Sequence, residues 1–472
     1  DRELKLLVVA LALMILGSFF AMLFNTSFFT VQVKEITFTT ERGTLSALLY
    51  LPKGAGADDP RPVVVTTHGY LNTKEMQDAP SIEMSRRGYI VLDLDMYDHG
   101  DSRWDADIPV GSQFGTFWIY SVSDAANWAA QQDFTKQDDA GNSYISVSGH
   151  SMGGFSSLVA LYLDEMQALQ TGTRNIYACI AAGADFSYAA AVAPQDQYQA
   201  AFGSRTVGIL AGHYDEFFFN KSADEKTAEE QKITGTVTYK DFVATNSGKA
   251  FLGFAADGSP TAGQFYTVDS GEVLLDGNAV RASQSGERVV YTPNQTHPWN
   301  HFSKTATADL ITFYTHAFDG VPSPSKTNWN IAADKQIWMS KELFNFVALI
   351  GFFLLFVPLL SLLLKLPVFK RAVVPATDPL PQAKTSAGKA AGWLAMLISA
   401  ALPALLFARL MDKTDTGLVP LWITALFVVA AGVIAALVGR KNGDAPFAKG
   451  GLWFGGVGLV LFAVLRFGGS IT

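Results

Sequence analysis

The chain has 472 residues, a formal net charge of −8, 49% hydrophobic residues and only 17% charged ones. Soluble domains carry about 25% charged residues, so the composition is not that of an ordinary soluble chain, and an acidic balance without a basic patch does not point to nucleic acid. The single cysteine, Cys179, excludes an internal disulfide; an exported domain of this size without disulfides suits a bacterial surface.

The apolar excess sits at the two ends. Residues 4–24 are apolar apart from Lys5 and follow Arg2, a length that crosses a bilayer core as one helix. No small-residue cleavage pattern follows, only Phe24-Asn25-Thr26-Ser27, so an uncleaved signal anchor is expected rather than a signal peptide. Four more spans are expected at 343–364, 391–411, 418–438 and 451–467. Lys365, Lys370, Arg371, Lys384 and Lys389 lie between the first two of these, and Arg440, Lys441 and Lys449 between the last two. The turn between the middle two holds Lys413, with Arg409 at the preceding helix end. Placing Arg2, Lys5 and both richer loops in the cytoplasm satisfies every segment with one topology. The expected organisation is an anchor over 1–26, an extracytoplasmic domain over 27–340 and a transmembrane domain of about four helices over 341–472. The chain starts with Asp rather than Met and its last span runs close to the end, so further residues are expected on both sides.

Within the outer domain, 31–39 and 45–51 alternate as strands around the turn Glu41-Arg42-Gly43. Residues 62–67 form a continuous β-branched run, as in a strand buried on both faces, ending in His68-Gly69-Tyr70. A glycine past such a strand lets the backbone turn and present the Tyr70 N–H to a ligand. A short helix over 81–87 closes at Gly88, and the strand 89–96 leads into Asp98-His99-Gly100-Asp101-Ser102, where His99 reads as a loop-structuring residue. Strand and helix then alternate, with a helix over 117–131, so a parallel sheet follows.

Residues 144–160 read Tyr-Ile-Ser-Val-Ser-Gly-His-Ser-Met-Gly-Gly-Phe-Ser-Ser-Leu-Val-Ala. This is G-x-S-x-G between a strand and a helix, the setting that exposes a nucleophilic serine on a sharp turn. Ser151 is the nucleophile, and the Met152 N–H, at a helix N-terminus, faces an oxyanion formed there. Short strands at 177–182 and 206–211 follow. The second ends in Gly212-His213-Tyr214-Asp215-Glu216, which puts Asp215 where a triad acid belongs, with Glu216 and Asp185 as fallbacks. The base comes from Thr296-His297-Pro298-Trp299-Asn300-His301. His301 is preferred because Ser303, two residues on, caps the next helix; His297 is the alternative. The Pro298 spacing is not a helical turn, so no metal site is expected. Between acid and base, 221–232 reads as a helix and 235–286 as small hairpins. The whole stretch 216–286 is expected to be an insertion forming a lid or pocket wall.

His68-Gly69, the Asp98–Ser102 loop, Gly149-His150-Ser151-Met152-Gly153-Gly154, Asp215 and His301 recur in the order of the α/β-hydrolase superfamily, which this chain resembles over roughly 31–320. The form of the serine motif is similar to that of esterases, lipases and dienelactone-hydrolase-like enzymes. The resemblance implies an α/β fold with a mostly parallel sheet, to which the transmembrane helices are added. It also implies a serine hydrolase without a cofactor, cleaving a lipid or small acyl ester through Ser151, His301 and Asp215, with oxyanion donors at Tyr70 and Met152. Two departures stand out: the long insertion between acid and histidine, and the rival histidine. A peptidase or amidase with the same triad remains open, as does a transporter or sensor with an inactive outer domain. The spans are expected to present a membrane lipid to Ser151 or to mediate homo-oligomerisation.

Overall fold

A computed structural model describes residues 2–109, 113–186, 192–275, 277–321 and 330–370, with scattered helical positions between 429 and 460. Residues 1–363 and 364–472 form two units. In the second, the expected span 391–411 lies outside the described residues, and 418–438 and 451–467 are described only at scattered positions, all helical.

The first unit begins with α1 (Arg2–Asn25), β1 (Val31–Thr40) and β2 (Gly43–Pro52). β3 (Val63–Thr67) passes through a 3-10 turn, Lys74–Gln77, into α2 (Asp78–Arg86), β4 (Ile90–Leu94) and the short β5 (Arg103–Trp104). Then come α3 (Gln113–Ala130), β6 (Ile145–His150), α4 (Met152–Thr171), β7 (Ala178–Ala182), α5 (Gln195–Phe202) and β8 (Thr206–Leu210). α6 (Asn246–Phe251), β9 (Tyr266–Asp269), β10 (Val273–Leu275) and β11 (Asn278–Arg281) precede β12 (Ser285–Tyr291), α7 (Lys304–Ala317) and α8 (Trp338–Leu363).

Among the described residues one mixed sheet runs β1-β2-β4-β3-β6-β7-β8-β12-β9, with β5 beside β2. From β4 to β12 the pairings are parallel; β1, β2 and β9 join antiparallel. The central strands are buried at every position because helices cover both faces, and β3 is β-branched throughout. Alternate residues serve opposite layers. Val63, Val65, Leu92 and Val147 pack under α3 and α4, while Val64, Val91, Ile180 and Val289 pack under α2 and α7. Each such side chain contributes about 1.5–3 kcal/mol by leaving water. The mixed sheet with flanking helices resembles the expected α/β-hydrolase arrangement.

The insertion departs from expectation in two places. Residues 221–232 are turns ending in a 3-10 segment, Glu230–Lys232, not a helix. The Glu225 carboxylate accepts from the Ser222 N–H at 2.9 Å and Glu230 from the Thr227 N–H at 2.8 Å, local bonds that compete with a helical ladder. The hairpin β10–β11 forms as the turn residues suggest, but β9 pairs with β12 and so extends the main sheet.

Both α1 and α8 are long and apolar enough to cross a membrane. They pack antiparallel: Phe20 and Phe24 stack on Phe344 at 4.9 and 5.8 Å, while Ala10 faces Gly351 further along. The chain before α8 runs along α2. Arg87 donates to the carbonyls of Ile331 and Ala332, Glu83 accepts from the N–H groups of Ile337 and Trp338, and Lys341 pairs with Asp78, the first residue of α2. As the number rises on this segment it falls on α2, so α8 starts out antiparallel to α2.

Candidate active site

β6 ends in Gly149-His150 and α4 begins at Met152, so Ser151 alone makes the turn. Its φ of +58° is the left-handed region that a non-glycine residue rarely occupies, a strain of the kind stored at functional sites. The turn is possible because a Cβ on Gly149 would lie 2.4 Å from the Gly153 carbonyl carbon, and one on Gly153 would lie 2.5 Å from the His68 oxygen. The Ser151 N–H donates to the Ala182 oxygen at the end of β7, 2.7 Å away.

The carboxylate of Asp215 is fully buried. One oxygen accepts from the N–H groups of Phe217 and Phe218 at 3.0 and 3.1 Å. The other meets Nδ1 of His297 at 2.6 Å, a contact that in the neutral ring puts the proton on Nδ1 and the lone pair on Nε2. The His297 ring lies against the backbone of Gly183, the residue after the carbonyl that holds Ser151. Serine, histidine and aspartate thus converge on the carboxyl end of β7.

His301, the preferred base in the sequence, is not the partner of Asp215. The segment Pro298–Phe302 is a 3-10 turn, which sends the two histidines to different neighbours. His301 Nδ1 donates to the Met76 oxygen at 2.9 Å, and its ring stands edge-on to His150 at 4.1 Å. Burial, together with the neighbouring His297, pushes its pKa down to about 4, although the Met76 carbonyl acts the other way.

Met152 opens α4, as expected. Tyr70 follows Gly69, and a Cβ on Gly69 would lie 3.1 Å from Cβ of Ser151, so this loop runs past the serine. His68, which the sequence reading passed over, fixes it. Its Nε2 accepts from the Met96 N–H at 3.1 Å, which leaves the proton on Nδ1 for the Gly69 oxygen at 2.6 Å. That bond sets the Gly69–Tyr70 peptide plane and with it the direction of the Tyr70 N–H. Burial holds the His68 pKa at about 4, so the ring stays neutral. His150, also passed over, donates from Nε2 to the His297 oxygen at 3.0 Å and is held well below the usual histidine range by burial. His99 Nδ1 meets the Tyr97 oxygen at 3.0 Å, a contact within its own loop. The signal for His68 and His150 was their place beside the two motifs, but what each bonds depends on distant strands. Among the described residues no three His, Cys, Asp or Glu side chains are grouped to hold a metal ion.

No family model and no curated protein matches this chain. Solved structures do. The hypothetical protein PA2218 from Pseudomonas aeruginosa is 20% identical over 33% of this chain and 43% of its own length, with a TM-score of 0.26; the chain therefore spans less than half of that protein. A cold-adapted esterase from an Arctic intertidal metagenomic library is 12% identical over 59% of this chain and 92% of its own, with a TM-score of 0.34. Est1E from Butyrivibrio proteoclasticus, solved with ferulic acid, is 18% identical over 39% of this chain and 80% of its own, with a TM-score of 0.29. At these values the likeness carries no argument about chemistry, which has to come from the site.

Proposed function

We propose that this chain is a membrane-anchored serine hydrolase that cleaves an acyl ester on the outer face of the membrane, with His297 as its base. The observation that carries this reading is the buried Asp215–His297 pair at 2.6 Å, set beside a serine on a strained strand-to-helix turn. Ser151 Oγ attacks the ester carbonyl while its proton passes to His297 Nε2. Asp215 holds the ring in the tautomer that accepts it and stabilises the imidazolium. The oxyanion takes the N–H groups of Met152 and Tyr70, each worth about 3–4 kcal/mol in such sites. As the tetrahedral intermediate collapses, the alcohol leaves with the proton from His297. Water then attacks the acyl-enzyme, gives its proton to His297, and the acid departs as Ser151 regains its hydrogen. His301 acts on this reading as a spacer between His150 and Met76. The anchor is the α1–α8 pair, and the outer-face location follows from the loop charges.

The test is labelling of the full chain with a fluorophosphonate probe. Wild type is expected to label, Ser151→Ala and His297→Ala to lose labelling, and His301→Ala to keep it. Asp215→Asn is expected to lower ester turnover by about 10⁴. An unlabelled, folded wild type would overturn the reading. Labelling lost in His301→Ala but kept in His297→Ala would return the base to His301. Turnover of peptide amides with none of esters would move the substrate class to a peptidase.

A further inference from the structure

The site and the apolar helices are joined by one short segment. Met76 accepts from His301 in the 298–302 turn. Two residues on, Asp78 opens α2 and holds both Lys341 of α8 and the Tyr50 hydroxyl, which also reaches Asn25 at the end of α1. α2 carries the chain from the carboxyl end of β3 back to the amino end of β4, so it runs against the parallel strands. α8 starts out antiparallel to α2 and therefore along the strands. α8 and its partner α1 leave the domain past the carboxyl ends of the strands, the end that holds Ser151, Asp215 and His297.

That end is also apolar at its rim. Tyr70 and Leu71 after β3, Tyr214 and Phe217 after β8, and Trp299 and Phe302 after β12 are between 45% and 77% exposed. They sit on the three loops that carry the site, and a patch of this kind marks a ligand or membrane surface. Lys341 and Glu342 stand before the apolar run of α8, so the bilayer surface falls near the amino end of α2, level with these loops.

We infer that the mouth of the site opens onto the bilayer to which α1 and α8 anchor it. The rim of Leu71, Trp299 and Phe302 dips into the lipid, and the substrate is an acyl ester resident in that membrane. This rests on the proposed hydrolase for its chemistry, but the docking geometry is testable without catalysis. Cys179 is fully buried, so a cysteine placed by substitution is the thiol a probe can reach. Leu71→Cys, Phe302→Cys, Asp139→Cys and Phe353→Cys would each carry a bimane probe on the full chain in phosphatidylcholine nanodiscs with brominated acyl chains. Asp139 is exposed in the loop before β6, at the opposite end of the strands, and Phe353 lies in the middle of α8 and is 62% exposed. Quenching at least twofold stronger at 71 and 302 than at 139, with 353 quenched most, is the expected result. Quenching at 353 with none at 71 and 302 would overturn the docking. No quenching at 353 would overturn the anchor and the docking with it. Loss of fluorophosphonate labelling would leave both untouched and remove only the chemistry.

Discussion

His297 and His301 carry the same side chain four positions apart, and their surroundings give them different work. One faces a buried carboxylate, the other a backbone carbonyl. The serine motif was legible because its requirements are local: small residues around a turn between strand and helix. The choice of histidine was not, because it depends on a contact across 82 positions and on a 3-10 turn that no periodicity announces. The buried histidines also set a pH dependence. His68 and His301 have folded pKa values near 4, below the ordinary value of about 6.5. The unfolded chain therefore takes up protons first, and stability is lost as pH falls from about 6.5 toward 4. Each contributes up to about 3 kcal/mol of that loss. The unfolding midpoint of wild type is expected to fall steeply across this range, and that of His301→Asn less so. Equal slopes would contradict the assignment.

At the scale of elements, the β-branched run of β3 and the short apolar runs of β4, β7 and β8 announced those strands because burial on both faces leaves an apolar signature, and the serine motif announced β6 before it. The helices α5 and α6 gave no comparable signal, being eight and six residues long. The direction of α8 was hidden as well, since Glu83, Arg87 and Asp78 lie more than 240 positions before it. Where α1 crosses α8 the backbones touch. A Cβ on Gly17 would lie 2.6 Å from the Ala348 nitrogen, and one on Gly351 would lie 2.7 Å from the Ala10 oxygen. Small residues at such crossings let helices associate in lipid. Gly17→Val is expected to separate the pair and cost about 1–3 kcal/mol, read as a lower midpoint in detergent and weaker cross-linking between cysteines placed on the two helices. An unchanged midpoint and unchanged cross-linking would argue against this contact.

At the scale of the whole molecule, a buried ionic knot holds the insertion to the domain. Arg205 donates to Asp164 and Glu165 on α4 at 2.6 and 2.5 Å, and Arg281 on β11 and Arg174 reach the same Glu165. Removing one partner strands the others without water. Arg205→Met is expected to cost about 3–5 kcal/mol, with Arg205→Lys recovering only part because ammonium lacks the guanidinium fork. A Met variant as stable as wild type would show the knot to be dispensable. The antiparallel pairing of α1 with α8 has a different consequence, in the order of synthesis. α1 ends at residue 25 and α8 begins at 338, so α1 leaves the ribosome with its partner still unmade. At about 5–20 residues per second, it waits roughly 15 to 60 s with Gly17 uncovered while the domain between them folds. A chain cut short before α8 would leave that glycine face open to whichever helix reached it first.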